Sequence, residues 1–104
     1  MGLRLIYSEF ARRDLKEIYD FIRVDSLMYA KREISLIKEA IKKLKLTPEL
    51  GKPFEDAEDN FTRELIYRNY RIIYDIVSDK QIRILTIHHH ARSLSSNPAF
   101  NDED

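Results

Sequence analysis

The spacing of apolar residues changes once along this 104-residue chain, and that change restricts the possible folds more than any other feature. From residue 11 to residue 44, apolar side chains recur every three or four positions, as they do in amphipathic helices. From residue 62 to residue 89 they alternate with polar ones, as in strands that bury one face. Between these regions, the segment LTPELGKP contains two prolines and a glycine, which end any helix. The pattern predicts an α+β domain with helices on a mostly antiparallel sheet.

The individual elements are bounded by their end signals. LRLIY predicts a short first strand, and Ser8 suits the N-cap of the next helix because its hydroxyl can accept an amide proton of the first turn. A second helix begins at Asp25 or Ser26. An acidic loop and three strands follow, TRELIYR, YRIIYDIV and IRILTIHH, the last two joined by a tight turn at Asp79 and Lys80. The order is β-α-α-β-β-β, with the two-helix hairpin packed on one face of the sheet.

The turn at Asp79 and Lys80 also predicts a register for the last two strands. Counting outwards from it pairs residues across the strands: Val77 with Ile82, Asp75 with Ile84, Ile73 with Thr86, and Arg71 with His88. The face that meets the helices then carries the more apolar set, namely Tyr70, Ile72, Tyr74, Ile76, Leu85 and Ile87. The other face is more polar, and three arginines are expected to border it: Arg63, Arg68 and Arg71. A slip of one residue would exchange the faces of one strand.

Composition restricts the class of protein. Without cysteine, neither a disulfide framework nor a thiolate metal site is possible. No stretch is long and apolar enough to span a membrane and no leader opens the chain, so a soluble cytoplasmic protein is expected. The formal net charge is zero, but residues 1–50 carry 11 basic and 8 acidic groups, and residues 62–92 carry six and three. Screening acts over about 8–10 Å, so such patches leave a polyanionic partner possible.

A single domain is expected over residues 1–97, followed by an acidic disordered tail over residues 98–104. The tail contains one bulky apolar residue, Phe100, which is too little to offset the entropy lost on ordering.

The ordered set of segments resembles the RelE/ParE superfamily of toxins from bacterial type II toxin–antitoxin modules. The resemblance covers residues 3–93 and rests on SEFARRDLKEIYDFI, LTPELGKP and the strand pair YRIIYDI and IRILTIHHHAR. It implies one of two activities. RelE-like members are ribosome-dependent endoribonucleases that cut messenger RNA, whereas ParE-like members poison DNA gyrase by trapping its cleaved-DNA complex. Both are neutralised by a cognate antitoxin in a hetero-oligomer, and many such chains are described only as plasmid-stabilisation proteins.

The two activities imply different site residues. Cutting RNA through its 2′-hydroxyl requires proton transfer and cations that hold the phosphorane. The resemblance gives these roles to Arg71, His88 and Arg92 if the chain is RelE-like. If it is ParE-like, the candidates for target binding are Arg63, Arg68, Arg71, His90 and Arg92. The residues that bind the antitoxin are not assigned. No cofactor is expected, and no metal either, because only His88 and His90 of the three consecutive histidines would share a strand face.

Two departures favour the ParE-like activity. RelE-like enzymes place a tyrosine or a basic residue shortly after the last arginine, where SLSSNPAF offers only Phe100. The lysines that they carry before the second strand are replaced by the acids of EDAED, which would repel an RNA backbone. An alternative role for Arg71 is structural, as the partner of Asp75 or of another acid. We therefore predict a gyrase inhibitor, with a ribonuclease as the alternative and an inactive homologue that only binds its antitoxin as a third hypothesis.

Overall fold

The computed structural model describes residues 3–89, so the expected tail and two candidate site residues, His90 and Arg92, lie outside the described part. The elements follow the predicted order, with one addition in the segment expected to be loop, a two-residue strand. In chain order they are β1 (Arg4–Tyr7), α1 (Glu9–Arg23), α2 (Leu27–Lys42), two short 3₁₀ turns (Lys43–Lys45 and Pro48–Leu50), β2 (Lys52–Pro53), β3 (Thr62–Tyr67), β4 (Tyr70–Ser78) and β5 (Gln81–His89). Neither helix within residues 3–89 is long and apolar enough to cross a membrane.

The sheet has the strand order β1-β5-β4-β3-β2, and the helices pack on one of its faces. β1 pairs with β5 in parallel, whereas every other pairing is antiparallel. The predicted α+β fold is therefore confirmed. Its core joins apolar side chains from both helices and the sheet, among them Ala11, Leu15, Ile18, Ile37, Ile41, Leu44, Ile72, Tyr74, Ile82, Ile84 and Ile87.

Serine side chains cap both helices at their N-termini. Ser8 Oγ accepts a hydrogen bond from the backbone N–H of Ala11 at 3.0 Å, which confirms the predicted cap. The same hydroxyl donates to the carbonyl oxygen of Leu85 at 2.7 Å, so it also attaches the start of α1 to β5. At the second helix the cap is Ser26, whose Oγ accepts from Tyr29 N–H at 3.1 Å.

Two β-bulges make the predicted register of β4 and β5 partly wrong. The turn is where it was expected, with Ser78 opposite Gln81, but the pairing then shifts because Val77 has no counterpart. Consequently Asp75 lies opposite Arg83 rather than Ile84, and Ile82 lies opposite Ile76 rather than Val77.

A second bulge restores the register further from the turn. The extra residue is Leu85 on β5, and it offsets the extra residue on β4. Beyond it, Ile73 pairs with Thr86 and Arg71 with His88, as predicted. The bulge also changes which β5 side chains enter the core, because Ile82 and Ile84 are fully buried whereas Leu85, expected there, is only half-buried.

Candidate functional site

The sheet face turned away from the helices, which we call the open face, carries a row of three side chains across β3, β4 and β5. Ile66 lies opposite Arg71, and Arg71 lies opposite His88. Directly opposed residues of antiparallel strands share a face, so a guanidinium and an imidazole are neighbours here. His88 and Ile66 are exposed. The structure therefore brings together two of the three residues that the ribonuclease assignment requires.

Arg71 does not present a free charge on this face. Its Nε and Nη2 both contact Oε2 of Glu64, a carboxylate that is only 6% exposed. The partner is thus an acid on the neighbouring strand rather than Asp75, whose Oδ1 instead accepts a hydrogen bond from Thr62 Oγ1 at 2.7 Å. Because burying an unpaired carboxylate is costly, Arg71 is needed to keep Glu64 in place.

The hollow beside this ion pair contains more acids than cations. Two cations and three acids line it, together with one aromatic ring: Lys52, Arg71, Glu55, Asp56, Glu64 and Phe54. A phosphate group entering this hollow would meet a formal excess of negative charge. The charge of this hollow is therefore unfavourable for a nucleic acid backbone.

Arg63 does not lie on the open face, so its predicted placement is wrong, whereas Arg68 borders that face and lines a hollow at the end of the hairpin with Ile66 and Arg71. Arg63 is opposite Tyr74, which is buried on the helix side, and its Nε donates to the carbonyl oxygen of Gly51 at 2.6 Å. Arg68 occupies the two-residue β3–β4 turn with a φ of 55°, as the first position of a primed hairpin turn requires. Its Nη1 lies 3.3 Å from Oε2 of Glu33 on α2.

Glu33 joins α2 to the β3–β4 hairpin through two contacts. Its carboxylate is 4% exposed, and Oε1 accepts a hydrogen bond from Tyr70 Oη at 2.8 Å. Burial raises the pKa of Tyr70 well above its ordinary value, and the hydrogen bond to Glu33 raises this pKa further. His89 stacks on the Tyr70 ring with centroids 4.8 Å apart. Together with the guanidinium of Arg68, the side chains of Glu33, Tyr70 and His89 form a polar cluster between α2 and the sheet.

The sequence prediction missed both buried carboxylates. Glu33 falls on the apolar stripe of α2, three residues after Ala30 and four before Ile37, and that spacing was a usable signal. For Glu64 the only signal was its place in an alternating strand, which does not say which face is buried. Among residues 3–89, no group of three or more histidine, aspartate and glutamate side chains is arranged to hold a metal ion.

Comparison with solved structures finds this fold in chains of known bacterial proteins. A chain of the chromosomal ParDE system from P. aeruginosa matches with a TM-score of 0.68 and 24% identity, over 84% of this chain and 95% of that chain. The RelBE2 toxin–antitoxin complex from Mycobacterium tuberculosis matches with a TM-score of 0.65 and 24% identity, over 86% and 99%. The YoeB dimer from Staphylococcus aureus has a TM-score of 0.55 and 19% identity, over 85% and 97%. At these identities the likeness establishes the fold.

The family is shown by a match between the sequence and a protein-family model. Residues 5–94 match the model described as the ParE toxin of the type II toxin–antitoxin system parDE. The chain therefore belongs to the ParE toxin family, within the RelE/ParE superfamily that the sequence resembled. A search of curated protein sequences gives no match.

Proposed function

We propose that this toxin inhibits DNA gyrase and is neutralised by a cognate antitoxin, with which it forms a hetero-oligomer. Membership of the ParE family over residues 5–94 supports this activity. The main observation against RNA cleavage is the ion pair between Arg71 and the buried Glu64.

Cleavage of RNA depends on cations that become more strongly bound as charge develops on the phosphorane. The guanidinium of Arg71 already neutralises Glu64, and Glu55 and Asp56 line the same hollow. A phosphate would have to compete with a buried carboxylate for Arg71, which would leave that carboxylate unpaired. Inhibition of a protein target makes no such demand, since it requires only a complementary surface.

One observation favours RNA cleavage as the second candidate function. Arg71 and His88 lie side by side on adjacent strands of the open face. In a RelE-like reaction, Arg71 would hold the scissile phosphate and His88 would exchange a proton with the 2′-hydroxyl or the leaving 5′-oxygen. The experiment must therefore distinguish inhibition through a binding surface from RNA cleavage, which requires proton transfer.

Induced expression of the chain tests the target directly. We expect growth arrest, induction of the DNA-damage response, and gyrase-dependent DNA cleavage when the purified chain is mixed with gyrase and supercoiled plasmid. The resemblance implies that the antitoxin is encoded in the reading frame adjacent to that of the toxin, and co-expression of that frame should abolish the arrest. Primer extension on translated messages should show no discrete cuts. Discrete cuts within reading frames, without trapped gyrase complexes, would reject the gyrase proposal in favour of the ribonuclease.

Variants of residues on the open face distinguish further between gyrase inhibition and RNA cleavage. Removal of the imidazole in His88→Ala should leave growth inhibition intact, whereas a ribonuclease that uses it would lose about 10²–10⁴-fold in rate. Arg71→Ala should weaken inhibition only moderately, and part of that loss comes from unpairing Glu64. The matched double variant, Arg71→Met with Glu64→Gln, removes both charges together and separates loss of the guanidinium from loss of folding. Melting temperatures of all three proteins provide the folding control.

A further inference from the structure

A hollow at the C-terminal end of α2 combines cations with exposed aliphatic surface. We call it the lysine groove, and it is lined by Glu39, Lys42, Lys43, Lys45 and Leu46. It lies where α2 ends at Lys42 and the chain continues through a 3₁₀ turn. Its lining is mostly apolar because the lysine stems and the leucine supply most of its surface.

The lysine groove keeps a net positive charge, because one acid, Glu39, lines it together with three lysines. Residues 38–52 contain five lysines and two glutamates. The ion pairs found within residues 3–89 involve Lys16, Arg23, Arg68 and Arg71, but none of the groove lysines. Cations in the last turn of a helix interact favourably with its dipole. That interaction accounts for positive charge at this end of α2 but not for the apolar surface beside it.

The leucines of this segment alternate between core and surface. Leu44 is fully buried, whereas Leu46 is 90% exposed and Leu50 is 47% exposed. A single exposed leucine is ordinary, but Leu46 lies within a concave, mostly apolar surface bordered by three unpaired lysines. An exposed leucine among lysines is complementary to an amphipathic segment whose polar face is acidic.

We propose that the lysine groove binds an acidic amphipathic segment of the antitoxin, which inserts an apolar side chain beside Leu46 and places carboxylates against Lys42, Lys43 and Lys45. The proposal rests on the proposed function for the existence of that partner. A nucleic acid backbone fits less well, because its phosphates would pair with the lysines but would make no apolar contact with Leu46. The acidic C-terminus of this same chain is the other possible occupant, and the experiment distinguishes it.

The test measures affinity between the purified chain and the product of the adjacent antitoxin frame by calorimetry. Charge reversal in Lys42→Glu with Lys45→Glu should weaken binding at least about tenfold and reduce its salt dependence. Truncation in Leu46→Ser should cost about tenfold to hundredfold, the value of burying one leucine. Leu46→Ser should keep the wild-type melting temperature because Leu46 is exposed. The charge reversal should lower the melting temperature slightly, because Lys42 lies in the last turn of α2 and its favourable interaction with the helix dipole is lost, so binding is measured well below that temperature. The matched control is Val77→Ser with Lys80→Glu at the β4–β5 turn, which should bind as wild type does.

Each alternative has its own result. If the wild-type chain binds the antitoxin and the groove variants bind equally tightly, the proposed site is wrong. If the wild-type chain does not bind it at all, the proposed function fails first. Deletion of residues 98–104 should leave the affinity unchanged, and a tenfold gain would identify the chain's own terminus as the occupant and overturn the proposal. Loss of duplex DNA binding in the variants, with antitoxin affinity retained, would overturn it as well.

Discussion

Gly51 and Tyr74 form a close contact between the loop after α2 and the sheet. The hydroxyl of Tyr74 accepts a hydrogen bond from Gly51 N–H at 2.9 Å and donates to the carbonyl oxygen of Pro48 at 2.6 Å. The φ of Gly51 is −78°, a value that any residue can adopt, so backbone freedom is not why glycine is needed. A Cβ at this position would lie 2.6 Å from the carbonyl oxygen of Glu64 and 2.9 Å from Tyr74 Oη. The requirement is steric.

Gly51→Ala should therefore destabilise the fold by about 1–3 kcal/mol, the usual cost of inserting a methyl group where the surrounding atoms cannot move. The free energy of unfolding, measured with denaturant, checks this value. Tyr74→Phe removes only the hydroxyl and should cost about 1–3 kcal/mol by leaving Gly51 N–H unpaired. In the double variant the clash with Glu64 remains, so the two losses should be partly additive. Wild-type stability of Gly51→Ala would contradict the close approach.

Tyr70 predicts how stability depends on alkaline pH. Burial and the hydrogen bond to Glu33 raise its pKa, so between its unfolded pKa of about 10 and its higher folded pKa the unfolded chain releases a proton that the folded chain retains. The contribution of Tyr70 to the free energy of unfolding should therefore be constant below about pH 9 and fall as the pH rises through about 10. Burial raises the pKa of Tyr7 and Tyr74 in the same direction.

The measurement is the slope of the unfolding free energy against pH between about pH 9 and about pH 11. Tyr70→Phe should be less stable at neutral pH, because Glu33 loses a hydrogen bond, but its slope should be smaller. A variant whose slope equals that of the wild-type protein would show that Tyr70 ionises freely in the folded state.

At the scale of elements, the two N-cap serines make different numbers of hydrogen bonds. Ser26 Oγ makes one exposed capping hydrogen bond, whereas Ser8 Oγ caps α1 and also donates to Leu85 of β5. Further along α1, Oδ2 of Asp14 accepts from Thr86 Oγ1 at 2.6 Å and from Ile87 N–H at 2.8 Å. Backbone groups of β5 beyond the end of β1 are thus hydrogen-bonded to side chains of α1 and its cap.

Ser26→Ala should cost about 1 kcal/mol, the ordinary value of an N-cap. Ser8→Ala should cost more, about 2 kcal/mol, because it also leaves the carbonyl oxygen of Leu85 without its hydroxyl donor. Thermal or denaturant unfolding of the two variants measures the difference, and each serves as the other's control. Equal losses would mean that the Leu85 contact contributes nothing to stability.

The elements show which parts of the structure local pattern can predict. Ser8, the helix stripes and the Asp79–Lys80 turn are local signals, and each predicted its element correctly. The bulges at Val77 and Leu85 are not visible in the alternation, because both strands remain apolar around them. Counting from the turn therefore gave the right partner for Arg71, where the two bulges cancel, and the wrong one for Asp75, which lies between them.

The site was less predictable than the fold for a related reason. The resemblance identified Arg71 and His88 by position along the strands, but the charge that Arg71 presents depends on Glu64, a partner from another strand. Arg63 was misplaced because strand alternation was not tied to a face until the β3–β4 pairing was known. Side-chain pairing across elements is a tertiary property, and no spacing within a single segment encodes it.

At the scale of the whole molecule, we propose that residues 1–97 form the domain and that residues 98–104 contribute little to its stability. Removing the last seven residues should leave the melting temperature almost unchanged, because they include one bulky apolar side chain, Phe100. Differential scanning calorimetry of the two lengths measures this. A fall of many degrees would show that Phe100 is docked, and Phe100→Ser in the full-length chain would then reproduce it.

Binding of the antitoxin should also change the stability of the whole domain. A partner that binds only the folded chain stabilises it by mass action, by about 2.7 kcal/mol when its free concentration is 100 times Kd. For a domain of this size, that corresponds to a rise of about 10–20 °C in melting temperature. Titration with the product of the adjacent frame should raise the melting temperature steadily with the logarithm of its concentration, whereas serum albumin should not. A melting temperature that stays constant under saturating partner would mean that the pair does not associate in the folded state, and the assignment of that frame as the antitoxin would be wrong.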